Sequence, residues 1–175
     1  MAVSSSASPR LALASVVVLA LGATACAGAG LDGGVYHGDG FAFRLGPEGQ
    51  GWRRLAVSHA AVAYRVDADE ATIAANGRCR LDADDIPLAS LTQHLFLRFT
   101  ERQIERQETV PFDGREAMHT VMAAKLDGVP MKFDVWVLKK NGCVYDLVYM
   151  VPPDKFGRGS PDFTRFVTGF SAVSP

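Results

Sequence analysis

Three dipeptides in the second half of the chain constrain its fold more than any other feature. They are Asp113-Gly114, Asp127-Gly128 and Asn141-Gly142, in a sequence of 175 residues. Each pair tolerates the positive φ angles of a two-residue hairpin turn. The segments between and after these turns are rich in apolar, β-branched and aromatic residues, as strands are. The predicted strands of this antiparallel meander are residues 116–126, 129–139 and 143–151, with a weaker one before them at 103–111.

The first half of the chain adds shorter strands, and a helix follows each group of strands. Short strands are predicted at residues 41–45, 61–66 and 71–76. A helix is expected after Asp85, a favourable N-cap, because Pro87 suits a first helical turn. Its apolar stripe is Leu88, Leu91, Leu95 and Phe99. A last helix is predicted to open at Pro161, with a buried face of Phe163, Phe166, Val167 and Phe170. This order indicates an α+β fold, a mainly antiparallel β-sheet covered by helices.

The N-terminal segment differs from the rest of the chain and has the pattern of a secretory signal peptide. One positive charge, Arg10, precedes an apolar run at residues 11–21 and the small residues Ala23-Thr24-Ala25. This run is too short for a membrane-spanning helix, which needs about 20 apolar residues. We therefore interpret residues 1–25 as a signal peptide, and an uncleaved membrane anchor is the alternative.

The cysteine that follows this segment, Cys26, resembles the modified residue of a bacterial lipoprotein box. In that box a small residue precedes the cysteine, which becomes N-terminal and lipid-modified after cleavage. The sequence departs from the usual box at Ala23, where Leu is common. The resemblance implies lipidation of Cys26, and plain secretion is the alternative. Residues 26–34 are then predicted to be a lipid-anchored flexible tether, and residues 35–175 a single α+β domain.

The other two cysteines, Cys79 and Cys143, form an even pair once Cys26 is set aside. An even pair in an oxidising compartment predicts a disulfide. Two separately buried thiols are the alternative. A zinc site is not expected, since the chain has no C-x-x-C or H-x₃-H spacing.

Two stretches of the second half resemble the PsbP-like fold family, which includes photosystem subunits and bacterial lipoproteins. They are VPMKFDVWVLKKNGCVYDLVYMVP and PPDKFGRGSPDFTRFVTGF, and FAFRLGPEGQGWRR resembles the opening strand of that family. In the family a tyrosine-rich strand leads through a proline break into a final helix. Here the break is Pro152-Pro153, and the segment ends at Gly169-Phe170. The resemblance implies a sheet sandwiched by helices and used mostly for docking to other proteins. No metal-binding motif of the family is matched.

The sequence offers no recognisable catalytic, metal or cofactor motif. There is no G-x-S-x-G, and the neighbours Ser58 and His59 do not by their adjacency make a triad. The acidic runs at residues 67–70 and 82–85 lack the glycine and glutamate of an EF-hand. The formal net charge of −1 does not favour nucleic acid as a partner. We expect no catalysis, no cofactor and no metal.

Aromatic residues near the hairpins are the remaining indication of a binding surface. Trp136, Tyr145 and Tyr149 would form a docking patch if exposed, and a helix covering that face is the alternative. The leading hypothesis is an outer-membrane lipoprotein facing the periplasm, a non-catalytic accessory module that binds a protein partner. The alternative is a carrier or sensor of a small apolar ligand or lipid, held between the sheet and the helix at Leu88–Phe99. A soluble secreted or periplasmic protein is the alternative location.

Overall fold

A computed structural model describes Met1 and residues 30–79 and 85–174 of the chain. The predicted signal peptide and Cys26 therefore lie outside the described residues, apart from Met1. The strands are β1 Gly30–Asp32, β2 Val35–His37, β3 Ala42–Arg44, β4 Trp52–Leu55, β5 Val62–Val66, β6 Ala71–Cys79, β7 Thr100–Phe112, β8 Arg115–Leu126, β9 Val129–Lys140, β10 Cys143–Val151 and β11 Ser171–Val173. The helices are α1 Leu88–Leu95 and α2 Phe156–Thr168.

The predicted meander is confirmed as four long strands, β7 to β10, joined by two-residue turns. At each turn both central residues have positive φ, for example 48° at Asp113 and 71° at Gly114. The flanking residues Phe112 and Arg115 are paired directly across the first of these turns. Asp and Gly adopt this conformation at little cost, which is why these dipeptides set the strand register.

A large antiparallel sheet of seven strands has the order β4-β5-β6-β10-β9-β8-β7. The pairing of β10 with β6 joins the two halves of the chain at the centre of this sheet. In that pairing Cys143 lies opposite Cys79, and the two residues form a disulfide with their Cα atoms 4.1 Å apart. The predicted disulfide is confirmed.

The two faces of the large sheet bury separate cores, since successive residues of a strand point to opposite faces. One face carries an aromatic core that packs against α2 and the smaller sheet. It includes Tyr145 in contact with Phe43 and Phe170, and Tyr149 stacked on Phe163. The other face is covered by α1, which packs over β8 and β9. Its core includes Leu91, Phe96, Met122, Phe133, Val135, Val137 and Val144. The predicted α+β class is confirmed.

Both helices differ from their predicted bounds. The first helix begins at Leu88 rather than just after Asp85, with Pro87 at the N-cap position, and it ends at Leu95. The second helix begins at Phe156, so the prediction that it opens at Pro161 is wrong. Phe156 packs on Tyr149 of β10, which holds the first helical turn against the sheet although Pro161 cannot donate a backbone hydrogen bond.

A smaller sheet of four short strands, in the order β1-β2-β3-β11, was predicted only in part. Its strands β1 and β2 pair around a Gly33-Gly34 turn, in which both glycines have positive φ. Residues 30–34 of the predicted tether are therefore a paired hairpin, while residues 26–29 lie outside the described part of the chain. No helix within the described residues is both long and apolar enough to cross a membrane.

Candidate functional site

The predicted aromatic docking patch is not on the surface, because both of its tyrosines are buried. Tyr145 and Tyr149 are each only 1% exposed. Burial raises the pKa of the Tyr145 phenol, and it raises that of Tyr149 to about 12. Their rings fill the space under α2 and the smaller sheet, so they do not form an exposed docking patch. The covered face is the alternative that the sequence left open.

Trp136 is half-buried and belongs to a polar network between β8 and β9. Its ring stacks on His119, with the ring centroids 4.0 Å apart. Its Nε1–H donates to Asp134 Oδ1 over 3.0 Å, and His119 Nε2 lies 2.8 Å from the same oxygen. One carboxylate thus holds two rings in place. The sequence analysis did not identify this network, because His119 on β8 and Asp134 on β9 are diagonal neighbours that only the strand register brings together.

The described residues contain no group of three or more His, Cys, Asp or Glu side chains placed to hold a metal ion. Within the network, Glu108 Oε1 lies 3.8 Å from His119 Nδ1 and also faces Arg106 at 3.6 Å. The acidic and basic groups therefore satisfy one another. We interpret this network as structural.

A cavity of about 220 Å³ lies between α1 and the outer strands of the large sheet. It exists because α1 packs over β8 and β9, while β7 at the edge of the sheet stays exposed from Thr100 to Thr109. The lining side chains come from both sides of this gap. They are Thr92, Gln93, Phe96, Arg102, Ile104, Gln107, Thr120 and Met122.

The floor of the cavity is buried and its polar atoms are already bonded. Phe96 and Met122 are each 3% exposed, and they supply the apolar surface. Thr92 Oγ1 donates to Leu88 O over 2.9 Å, and Gln107 Nε2 donates to Thr120 Oγ1 over 3.1 Å. An occupant of the floor would therefore make mainly apolar contacts.

The mouth of the cavity is more polar and includes an unusually exposed apolar residue. Ile104 is 52% exposed, although it points into the gap beside Met122, its partner on β8. Leu97, immediately after the pocket residue Phe96, is 72% exposed. Gln93 and Arg102 supply polar groups at the opening. This combination of an apolar floor and a few polar groups is typical of a ligand site.

A wider depression of about 740 Å³ lies along the hairpin turns, but it is open to solvent. It is lined mainly by turn residues and charged side chains. One of these, Lys140, already contacts Asp113, donating to its backbone oxygen over 2.7 Å and lying 2.8 Å from its Oδ2. We therefore regard the smaller, apolar cavity under α1 as the candidate site.

The architecture is a PsbP-like fold, with its mainly antiparallel sheet packed between helices. Two solved structures from bacteria share it. The crystal structure of LpqN from Mycobacterium tuberculosis, a protein involved in cell envelope biogenesis, matches with a TM-score of 0.57 and 18% identity over 79% of this chain and 88% of that one. The solution structure of cyanobacterial PsbP, CyanoP from Synechocystis, matches with a TM-score of 0.58 and 12% identity over 77% of this chain and 88% of that one.

At these identities the likeness concerns the fold alone. No protein-family model and no curated protein sequence matches the chain significantly.

Proposed function

We propose that this chain is a non-catalytic accessory protein of the bacterial cell envelope that binds a small apolar group in the cavity under α1. The single observation that carries the binding proposal is that cavity, with its buried floor of Phe96 and Met122 and the exposed Ile104 at its mouth. This is the alternative function indicated by the sequence, a carrier or sensor of a small apolar ligand or lipid. It is favoured over an aromatic docking patch because Tyr145 and Tyr149 are buried.

The size of the cavity limits what it can hold. Pockets for drug-sized ligands measure roughly 300–1,000 Å³. A cavity of about 220 Å³ is smaller, so it suits one short apolar chain rather than a multi-ring ligand. A ligand longer than the cavity would extend past Ile104 into solvent or into a membrane.

Three observations support a location in the envelope. The N-terminal segment has the pattern of a signal peptide followed by Cys26. The Cys79–Cys143 disulfide suits an oxidising compartment. The similarly folded LpqN is involved in cell envelope biogenesis. We propose that a lipid on Cys26 anchors the domain, and intact-mass measurement of the protein from membranes tests this: an unmodified N-terminus at Cys26 would contradict it.

A protein partner at the exposed edge strand is a second candidate, which the 13-residue strand β7 favours. Two irregularities in the pairing of β7 with β8 count against it, because bulges hinder strand addition at an edge. Crosslinking of the protein in intact envelopes, followed by pull-down, distinguishes the two: a partner crosslinked along β7 would support docking.

The binding proposal is tested by titrating the exported protein with a neutral environment-sensitive dye such as Nile red. Ile104→Glu places a charge at the cavity mouth and should weaken dye binding at least tenfold. Gln103→Glu is the matched control, since its side chain is also exposed but points to the opposite face of β7. Equal affinities of the two variants, or no binding by the wild type, would contradict the proposal.

A further inference from the structure

The charged side chains of β7 are nearly all paired, with one exception. Lys125 Nζ lies 2.7 Å from Glu101, Lys132 Nζ lies 2.6 Å from Glu105, and Arg106 Nε lies 3.6 Å from Glu108. The exception is Arg102, which makes no ion pair with any residue in the described part of the chain. An unpaired guanidinium at a cavity mouth is available to an anion.

The irregular pairing of β7 places Arg102 at the cavity together with two other lining residues. In a regular strand, Arg102 and Ile104 share a face and Gln107 points the other way. The register shifts by one residue between Ile104 and Arg106. Because of this extra residue, Gln107 returns to the same face and lies opposite Thr120, while Ile104 lies opposite Met122. The bulge thus brings a cation, an apolar residue and an amide to one opening.

The acidic residues on either side of Arg102 are paired with lysines, and the first of them lies in the other register shift of β7, between Thr100 and Gln103. Glu101 adopts a left-handed conformation with φ of 50°, and its carboxylate is held by Lys125. Glu105 is held by Lys132, whose ammonium also lies 4.6 Å from the ring of Phe156 on the far face of the sheet. The nearest carboxylates along the strand are therefore occupied by lysines.

We propose that the ligand of this cavity is a single-chain amphiphile with an anionic head, whose head is bound by Arg102. This inference rests on the proposed function and adds the class of ligand to it. The planar guanidinium can bind a carboxylate or phosphate with two hydrogen bonds, which a neutral head cannot match. The amide of Gln93 at the same opening is a further donor for the head.

The cavity volume sets the length of the buried chain. A water-sized group takes up about 30 Å³ in a liquid. A cavity of about 220 Å³ then accommodates on the order of seven methylene-sized groups. Octyl compounds are therefore suitable probes.

The test measures displacement of Nile red from the exported protein by octanoate, octyl phosphate and octanol. Octanoate or octyl phosphate should bind about tenfold more tightly than octanol, and the difference should shrink at high salt. Arg102→Gln should remove that preference, because it should weaken the binding of octanoate and octyl phosphate about tenfold more than it weakens the binding of octanol. Arg115→Gln, the same change at an exposed arginine outside the cavity, is the matched control and should keep the preference.

The outcomes separate this inference from the proposed function. Comparable binding of octanol and both anions to the wild type would overturn the anionic class while leaving apolar binding intact. An equal loss of octanol and octanoate binding in Arg102→Gln would also overturn it. If neither the dye nor any octyl compound binds, the proposed function fails together with the inference. The two anionic compounds also distinguish a carboxylate head from a phosphate head.

Discussion

The disulfide between β6 and β10 should contribute a large share of the stability of the fold. Cys79 and Cys143 are separated by 64 residues, so the bond closes a long loop in the unfolded chain. The chain-entropy relation for a loop of this length gives about 4 kcal/mol at 25 °C. We therefore expect the double change Cys79→Ala with Cys143→Ala to lower the free energy of unfolding by about that amount.

Urea unfolding followed by circular dichroism measures this change directly. At about 2–4 °C per kcal/mol, the melting temperature should also fall by roughly 8–16 °C. The wild type in reductant should approach the double variant, and the double variant itself should not respond to reductant. A loss below about 1 kcal/mol would refute the reasoning, because it would mean that the unfolded chain is not appreciably restrained by the bond.

Two further predictions concern a pair of glycines and a buried carboxylate. Gly157→Ala should stabilise the protein by up to about 1 kcal/mol, because an added Cβ at this position meets no atom within 4 Å. Gly159→Ala should destabilise the protein by about 1–3 kcal/mol, because the added Cβ would lie 2.4 Å from the Tyr149 hydroxyl. Thermal melts check both, and equal shifts would contradict the packing argument. Burial raises the pKa of Asp146, and Arg78 opposes this only in part, so the folded state holds the Asp146 proton more tightly than the unfolded state does. The wild type should therefore lose stability relative to Asp146→Asn as pH rises through the raised pKa of Asp146. Urea unfolding of both proteins between about pH 3.5 and 8 measures this difference. Parallel curves of unfolding free energy against pH for the two proteins would contradict the prediction.

The parts of the fold that local chemistry determines could be predicted from the sequence. Asp113-Gly114 and the two similar dipeptides require positive φ, and the structure has two-residue turns at all three. Phe133, Val135 and Val137 alternate along the sequence of β9, a pattern that indicates one buried face, and these residues are buried under α1. Such patterns depend only on residues close together in the sequence, so they can be interpreted without knowledge of tertiary contacts.

Features that depend on distant contacts could not be predicted in the same way. Pro161 indicated a helix start, but contact between Phe156 and Tyr149 extends the helix by a turn before it. The strands β1, β2 and β11 have three residues each, too few to show a period. They form because they pair with one another and with β3.

The sequence predicted the position of the cavity under α1 but not all of the residues that line it. The sequence indicated a gap between the sheet and the helix at Leu88–Phe99, and Phe96 lines the cavity there. The roles of Arg102 and Gln107 depend on the register shift near Ile104, which is visible only in the pairing of β7 with β8. Regular alternation along the strand would have placed one of them on the other face.

The pairing of β11 with β3 affects the order in which the strands of the smaller sheet can form during synthesis. Ala172 lies opposite Phe43, a fully buried residue, so the edge of β3 stays unpaired until residues 171–173 have left the ribosome or crossed a membrane. Until then the nascent chain exposes Phe43 without its later partner Phe170. A growing chain therefore carries an unpaired, apolar edge from the synthesis of β3 until that of β11, and such an edge is the kind of surface that chaperones bind.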